Sequence, residues 1–224
     1  MLKNLFSIHK KNDYLKYLTI YITAYERRNN LERLFKSLKN LNVEIILLDS
    51  SPSEWEDKEK FKWIKYEHTP NALIYKVLFD AAKNCKTPYL IWSCDDDMIN
   101  IKGLKNAVEC IHKEKQYSSV SGRLKKKRSN YGKKEFYTWR KYYNYISSDP
   151  LERINNMFQS FCSPVHDVMR KECFIKSWEI VLNNPKLYPA RYMDRIVGLT
   201  QAIYGNKRVI NNTLLEREKS QRKK

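Results

Sequence analysis

A chain of 224 residues with 42% hydrophobic content is long enough and apolar enough to close one full globular core. Its 43 Lys and Arg against 25 Asp and Glu leave a net charge of +18, which selects for polyanionic partners: nucleic acid, anionic lipid headgroups or acidic glycans. No apolar run approaches a membrane span, and Lys3, His9, Lys10 and Lys11 break up the N-terminus in a way that argues against a signal peptide. The 5 cysteines are scattered, with no Cys-x-x-Cys pair, which disfavours a zinc site or a disulfide framework and suits a reducing cytoplasm.

In chain order, Met1 to Lys16 reads as a short arm or first helix, and Tyr17 to Thr23, β-branched and aromatic, as the first strand. Asn29 or Asn30 is placed to cap a helix whose apolar face is Leu31, Leu34, Phe35, Leu38 and Leu41. Val43 to Leu48 is a continuous apolar run, as in a parallel strand buried on both faces, and Asp49-Ser-Ser-Pro-Ser ends it with turn chemistry. Phe61 to Tyr66 reads as a third strand, Ala72 to Cys85 as a helix, and Tyr89 to Cys94 as a fourth strand running into Asp95-Asp96-Asp97. A helix over Ile101 to Lys115 and a strand over Ser118 to Gly122 complete an alternation that predicts an α/β fold: a mostly parallel sheet with helices on both faces.

The remainder is less regular. Residues 123–148 form a basic, Tyr-rich excursion, followed by a helix over Leu151 to Phe161 and a short strand over Val165 to Met169. Helices are expected over Lys171 to Leu182 and Tyr192 to Tyr204, then a short strand over Lys207 to Ile210 and a charged, fraying tail from Leu214.

Three carboxylates at a strand end repel one another, and burial raises that cost; a hard divalent cation such as Mg²⁺ or Mn²⁺ removes it. Asp95 to Asp97 therefore reads either as a metal–diphosphate site or as an acidic loop in which one Asp caps the helix near Asn100. Thr23-Ala-Tyr25 and Asp49-Ser50 fall at the ends of two earlier strands. In a parallel sheet such ends lie side by side, where α/β proteins bind ligands. Tyr25 could stack on a base or simply pack, and Asp49 could accept hydrogen bonds from a base or ribose or simply shape a turn. In the basic excursion, Lys125, Lys126, Lys127, Arg128, Trp139 and Arg140 alternate cations with aromatics. That pattern fits either polyanion contact or a solvated hairpin with one half-buried aromatic face.

This order of motifs, closing with Met193-Asp194, resembles the GT-A glycosyltransferases of the family-2 type, in particular the small bacterial and phage members with a Cys-Asp-Asp-Asp-like core. The resemblance covers residues 17–211 and implies an arm at 1–16, a nucleotide-sugar-binding half at 17–122, an acceptor half at 123–211 and a tail at 212–224. It implies that Thr23, Tyr25, Asp49, Lys76, Asp95 and Asp96 bind the nucleotide-sugar, that Asp97 binds Mn²⁺ or Mg²⁺, and that Asp194 is the catalytic base of an inverting transfer. Two motifs depart from the family pattern: Asp-Ser-Ser follows strand two, and Met-Asp stands in the late motif. The second departure leaves Asp167, beside His166, as the fallback base, with His166 itself a candidate for phosphate or acceptor. A nucleotidyltransferase or P-loop enzyme is disfavoured, because Thr-Ala-Tyr-Glu-Arg-Arg after strand one holds no glycine to cradle phosphates. A noncatalytic nucleic-acid binder would explain the charge but not the acidic triplet. The acceptor is expected on a polyanion, a hydroxylated base in phage-type DNA slightly ahead of a surface glycan or lipid-linked sugar.

Overall fold

The structure, a computed structural model, describes residues 13–26, 28–130, 133–138, 143–184 and 190–218, with the backbone alone at 28–29, 127–130, 133–138, 190–191 and 218. A 3-10 turn, Tyr14–Tyr17, buries Leu15, so the end of the expected arm belongs to the domain; residues 1–12 lie outside the described residues. The strands are β1 Leu18–Ala24, β2 Glu44–Asp49, β3 Lys65–His68, β4 Tyr89–Cys94, β5 Asp97–Ile99, β6 Tyr117–Asn130, β7 Lys133–Thr138, β8 Val168–Arg170 and β9 Asn206–Glu218. The helices are α1 Arg28–Leu38, α2 Ile74–Asn84, α3 Ile101–Lys113, α4 Pro150–Gln159, α5 Lys171–Asn183 and α6 Ala190–Tyr204.

The sheet runs β3-β2-β1-β4-β8-β6-β9-β5, with β7 paired to β6. Strands β3, β2, β1 and β4 are mutually parallel, as the apolar runs predicted. Beyond β4 the sheet turns mixed: β8 is antiparallel to both β4 and β6, β9 is parallel to β6, and β5 is antiparallel to β9. Side chains alternate across the sheet. Ile20, Ile22, Leu47 and Ile91 pack with the apolar stripes of α1 and α3, whereas Tyr21, Ile46, Leu48, Leu90 and Trp92 pack with α2, α5 and α6.

Several boundaries differ from expectation for identifiable reasons. Helix α1 starts at Arg28, so neither Asn29 nor Asn30 caps it; the buried stripe Leu31, Leu34, Phe35 and Leu38 sets its extent. Phe61 ends a 3-10 turn, Glu56–Phe61, and stacks on Trp55 as part of the core, so β3 begins later, at Lys65. Asn100, not one of the three aspartates, caps α3 by accepting from Gly103 N at 3.0 Å.

The largest correction concerns the tail. Strand β9 extends to Glu218, and Leu214 and Leu215 are buried in the main core. Residues 212–218 are therefore strand, and 219–224 lie outside the described residues. The strand is held by backbone proximity that only glycine permits. A Cβ at Gly103 would sit 1.8 Å from Thr213 O, and one at Gly122 would sit 2.6 Å from Leu214 Cβ.

Candidate active site

Two of the predicted nucleotide residues sit at the carboxyl ends of β1 and β2. Asp49 is buried; its Oδ1 accepts from Ser51 N (2.9 Å) and its Oδ2 from the Tyr66 hydroxyl (2.9 Å). Burial, reinforced by that bond to Asp49, pushes the Tyr66 phenol up to about 12. The carboxylate is thus oriented by its own half of the sheet. Thr23 is buried and accepts from Trp92 Nε1 at 2.9 Å, which fixes the indole of β4. Tyr25, by contrast, is half exposed, and Glu26 beside it has φ 55°, a left-handed turn tied down by its N–H bond to Ser51 Oγ at 2.9 Å.

The acidic triplet does not converge on one point. Asp95 is buried, its N–H bonded to Thr23 O (3.1 Å) and its Oδ2 3.5 Å from Tyr25 N, so it faces the β1 loop. Asp96 is partly buried. Asp97 opens β5, and the β5–β9 register sets Arg217 directly opposite it. Arg217 Nε donates to Asp97 Oδ1 at 2.6 Å and a terminal nitrogen donates to Oδ2 at 2.8 Å, the fork-on-fork geometry of a strong pair. Hydrogen bonding to Asp97 pushes the guanidinium above its ordinary range, against the opposing effect of burial. The same terminal nitrogen lies 3.1 Å from His166 Nε2. His166 Nδ1 lies 2.9 Å from Trp92 O. A carbonyl only accepts and a guanidinium only donates, so the partners define the ring as neutral with its proton on Nδ1.

A sulfur of Cys94, an oxygen of Asp97 and a nitrogen of His166 all lie within 4.8 Å of one another, a group that could hold a metal ion. It differs from the cluster of oxygens expected for Mg²⁺ or Mn²⁺, because Asp97 is its one carboxylate. Burial pushes the Cys94 thiol up to about 12. Arg217 already engages both oxygens of Asp97 and the free lone pair of His166. As arranged, these groups do not fit an oxygen-seeking divalent ion; a guanidinium holds its place.

Beside this group opens a pocket of about 160 Å³, whose lining includes Arg123, His166, Asp167, Asp194 and Arg217. Asp194 lies on α6, inside the helix rather than at its start, and is partly buried. Asp167 is buried differently. Its Oδ2 is 2.8 Å from Lys207 Nζ and accepts from Gln201 Nε2 at 3.2 Å, with both Asp167 and Lys207 removed from water. That oxygen is committed to a structural ion pair, which favours Asp194 as the carboxylate available to a substrate.

The other predicted residues scatter. Lys76 is exposed on α2 and pairs with Asp80 at 2.6 Å along the helix, away from the pocket lining. Lys125 and Lys126 are partly buried on β6, set in register with Glu216 and Arg217 of β9. Lys127 and Arg128 continue that strand as backbone, and Trp139 and Arg140 lie outside the described residues. Sequence reasoning missed Arg217, Lys207 and Tyr66. The available signals were the apolar pair Leu214-Leu215 ahead of the charged run and the glycines that admit β9.

An open sheet whose parallel strands end in Thr23, Asp49 and the acidic triplet has the form of a nucleotide-dependent α/β enzyme; Thr23, Tyr25, Asp49 and Asp95 are not among the residues lining the pocket, which holds Asp167 and Asp194 and meets the triplet through Arg217. A profile of glycosyl transferase family 2 matches residues 19–176, and the chain belongs to that family. The fold is shared with TarS of S. aureus: the crystal structure of its residues 1–349 superposes with a TM-score of 0.63 at 14% identity, over 90% of this chain and 60% of that one. The same TarS fragment in complex with UDP-GlcNAc gives 0.59 at 13% identity, over 92% and 59%, and in complex with UDP 0.59 at 14%, over 91% and 60%. The chain therefore spans about 60% of the length of that TarS fragment. No curated protein matches the sequence.

Proposed function

We propose that the protein is an inverting glycosyltransferase that moves a sugar from a UDP-sugar to a hydroxyl on a polyanionic acceptor. The observation that carries this reading is the pocket lined by Asp194, Arg123, Arg217 and His166, which Arg217 ties to Asp97, three residues past the end of β4. Membership of glycosyl transferase family 2 and the fold shared with TarS, crystallised with UDP and UDP-GlcNAc, support a UDP-type donor.

In this reading the exposed Tyr25 ring covers the base, and Asp49, held by Ser51 and Tyr66, receives hydrogen bonds from base or ribose. Asp95 faces ribose or sugar. The acceptor oxygen attacks the anomeric carbon, and the bond from that carbon to the diphosphate oxygen breaks with its electron pair leaving on the diphosphate. Asp194 takes the acceptor proton as the new bond forms. The Arg217 guanidinium lies at the diphosphate end of the site. No step runs through a metal ion; a divalent ion on Cys94, Asp97 and His166 would require Arg217 to withdraw.

Modified duplex DNA stands ahead of a surface glycan as the acceptor, on the strength of the +18 charge and the basic strand Arg123 to Arg128 leaving the pocket. No helix among the described residues is long and apolar enough to cross a membrane. All 5 cysteines are free, which supports a reducing cytoplasmic setting.

Screening UDP-sugars for UDP release, in Mn²⁺ and in EDTA, tests the donor reading. Release with one sugar, lost in D194N, supports it; no release with any sugar in either condition overturns it. Retention on duplex DNA that falls with salt supports the DNA acceptor, and salt-insensitive passage returns the reading to glycans.

A further inference from the structure

We propose that Arg217 is the resident cation of the donor diphosphate site, so that the protein binds a nucleoside diphosphate without a divalent ion. The inference rests on the donor reading above and goes beyond it, since neither the sequence motifs nor the family match assigns any role to this residue.

The arginine is delivered by the sheet. Antiparallel pairing of β5 with β9 places it directly across from Asp97, so its position is fixed by the backbone ladder and not by a loose tail. Its Nε and one terminal nitrogen hold the two oxygens of a fully buried carboxylate at 2.6 and 2.8 Å. That terminal nitrogen also reaches His166 Nε2 at 3.1 Å, and His166 is itself locked by Trp92 O. These are the lone pairs a metal would need. Stripping a buried carboxylate of its partner is costly, and a strongly hydrated divalent ion gives up its water reluctantly. The arginine is also 23% exposed and lines the pocket, so the guanidinium borders the space beyond Asp97 while its fork stays on that carboxylate. One end of the guanidinium is anchored, and the other can donate to phosphate oxygens as charge grows on the leaving group.

The test is UDP affinity by calorimetry, with EDTA or with Mn²⁺, for the wild type, R217Q, R217K and D97N/R217Q. The wild type is expected to bind UDP in EDTA, and Mn²⁺ to change its affinity less than threefold. R217Q should lose at least tenfold in EDTA and recover in Mn²⁺, because Asp97 and His166 are then open to the ion. The double variant carries no uncompensated buried charge, so it covers the case in which R217Q fails to fold; it should bind weakly in both conditions. R217K, which keeps the charge but loses the fork, should fall between. A wild type that binds UDP only with Mn²⁺ overturns the inference and leaves the donor reading standing. So does R217Q or the double variant binding in EDTA as tightly as the wild type. Failure of the folded wild type to bind UDP under either condition overturns the donor reading itself.

Discussion

The half of the molecule built from β1 to β4 and the half built from β5 to β9 handle buried charge in opposite ways. In the first, Asp49 is satisfied by neutral donors close by in sequence, Ser51 N and the Tyr66 hydroxyl. In the second, Asp97 is matched by Arg217 and Asp167 by Lys207, cations that arrive on the last strand. The first half is a local framework with short parallel connections. The second is stapled together by ion pairs that exist only once β9 has docked. Under the proposed function, this difference would divide the roles: the first half shaping a surface for a neutral base and ribose, the second concentrating charge where a diphosphate leaves and a proton moves.

Breaking the charged half at its chemistry should have the largest effect. D194N is expected to lower turnover by about 10²–10⁴-fold while UDP affinity stays within about threefold, as for a base that acts only in the transition state. Single-turnover kinetics beside UDP calorimetry would show whether binding and chemistry separate in this way.

Breaking it at its structural pair comes next. K207M leaves Asp167 buried without its cation and should cost about 3–5 kcal/mol in urea unfolding. The D167N/K207M double variant should recover most of that loss. If the single variant is neutral, the pair is not the staple described here.

Alkaline pH probes both halves at once. Burial raises the Cys94 and Cys173 thiols and the Tyr66 phenol to about 12 in the folded protein. In the unfolded chain these groups ionise near their ordinary values of about 8.5–10. Between those limits the unfolded state has released protons that the folded state still holds, so stability should fall as pH rises from about 9 towards 12 and be fully present below that window. Thermal midpoints across that range measure the slope.

Gly103→Ala sharpens the dependence on β9 docking. The new Cβ collides with Thr213 O, so strand or helix must shift, at an expected cost of about 1–3 kcal/mol. The smallest effect belongs to Lys76→Ala, which removes an exposed pair with Asp80 and should change UDP affinity less than about twofold. A tenfold loss would return Lys76 to the binding site.

Much of the first half was legible in the sequence because its signals are local. Tyr89 to Cys94 is the observed β4, and the stripe from Leu31 to Leu38 is the buried face of α1. Continuous apolar runs announced strands covered on both faces, and their ends announced Thr23, Asp49 and the triplet. The second half was less legible because its strands earn burial from partners far off in the chain. Val168–Arg170 has only three residues in which to declare itself. Leu214 and Leu215 sit among charges and looked like a tail until β6 and β5 flanked them.

The sequence by itself determined the class of fold and the carboxylates at the sheet edge, because periodicity and strand-end chemistry are written in neighbouring residues; the family entered through the resemblance carried by the order of those motifs. The tertiary structure alone decided which cations answer those carboxylates. An ion pair between Asp97 and Arg217 spans about half of the chain, and no local pattern encodes it; it follows from strand order and register, which bring β9 beside β5 and set Lys207 of the same strand against Asp167.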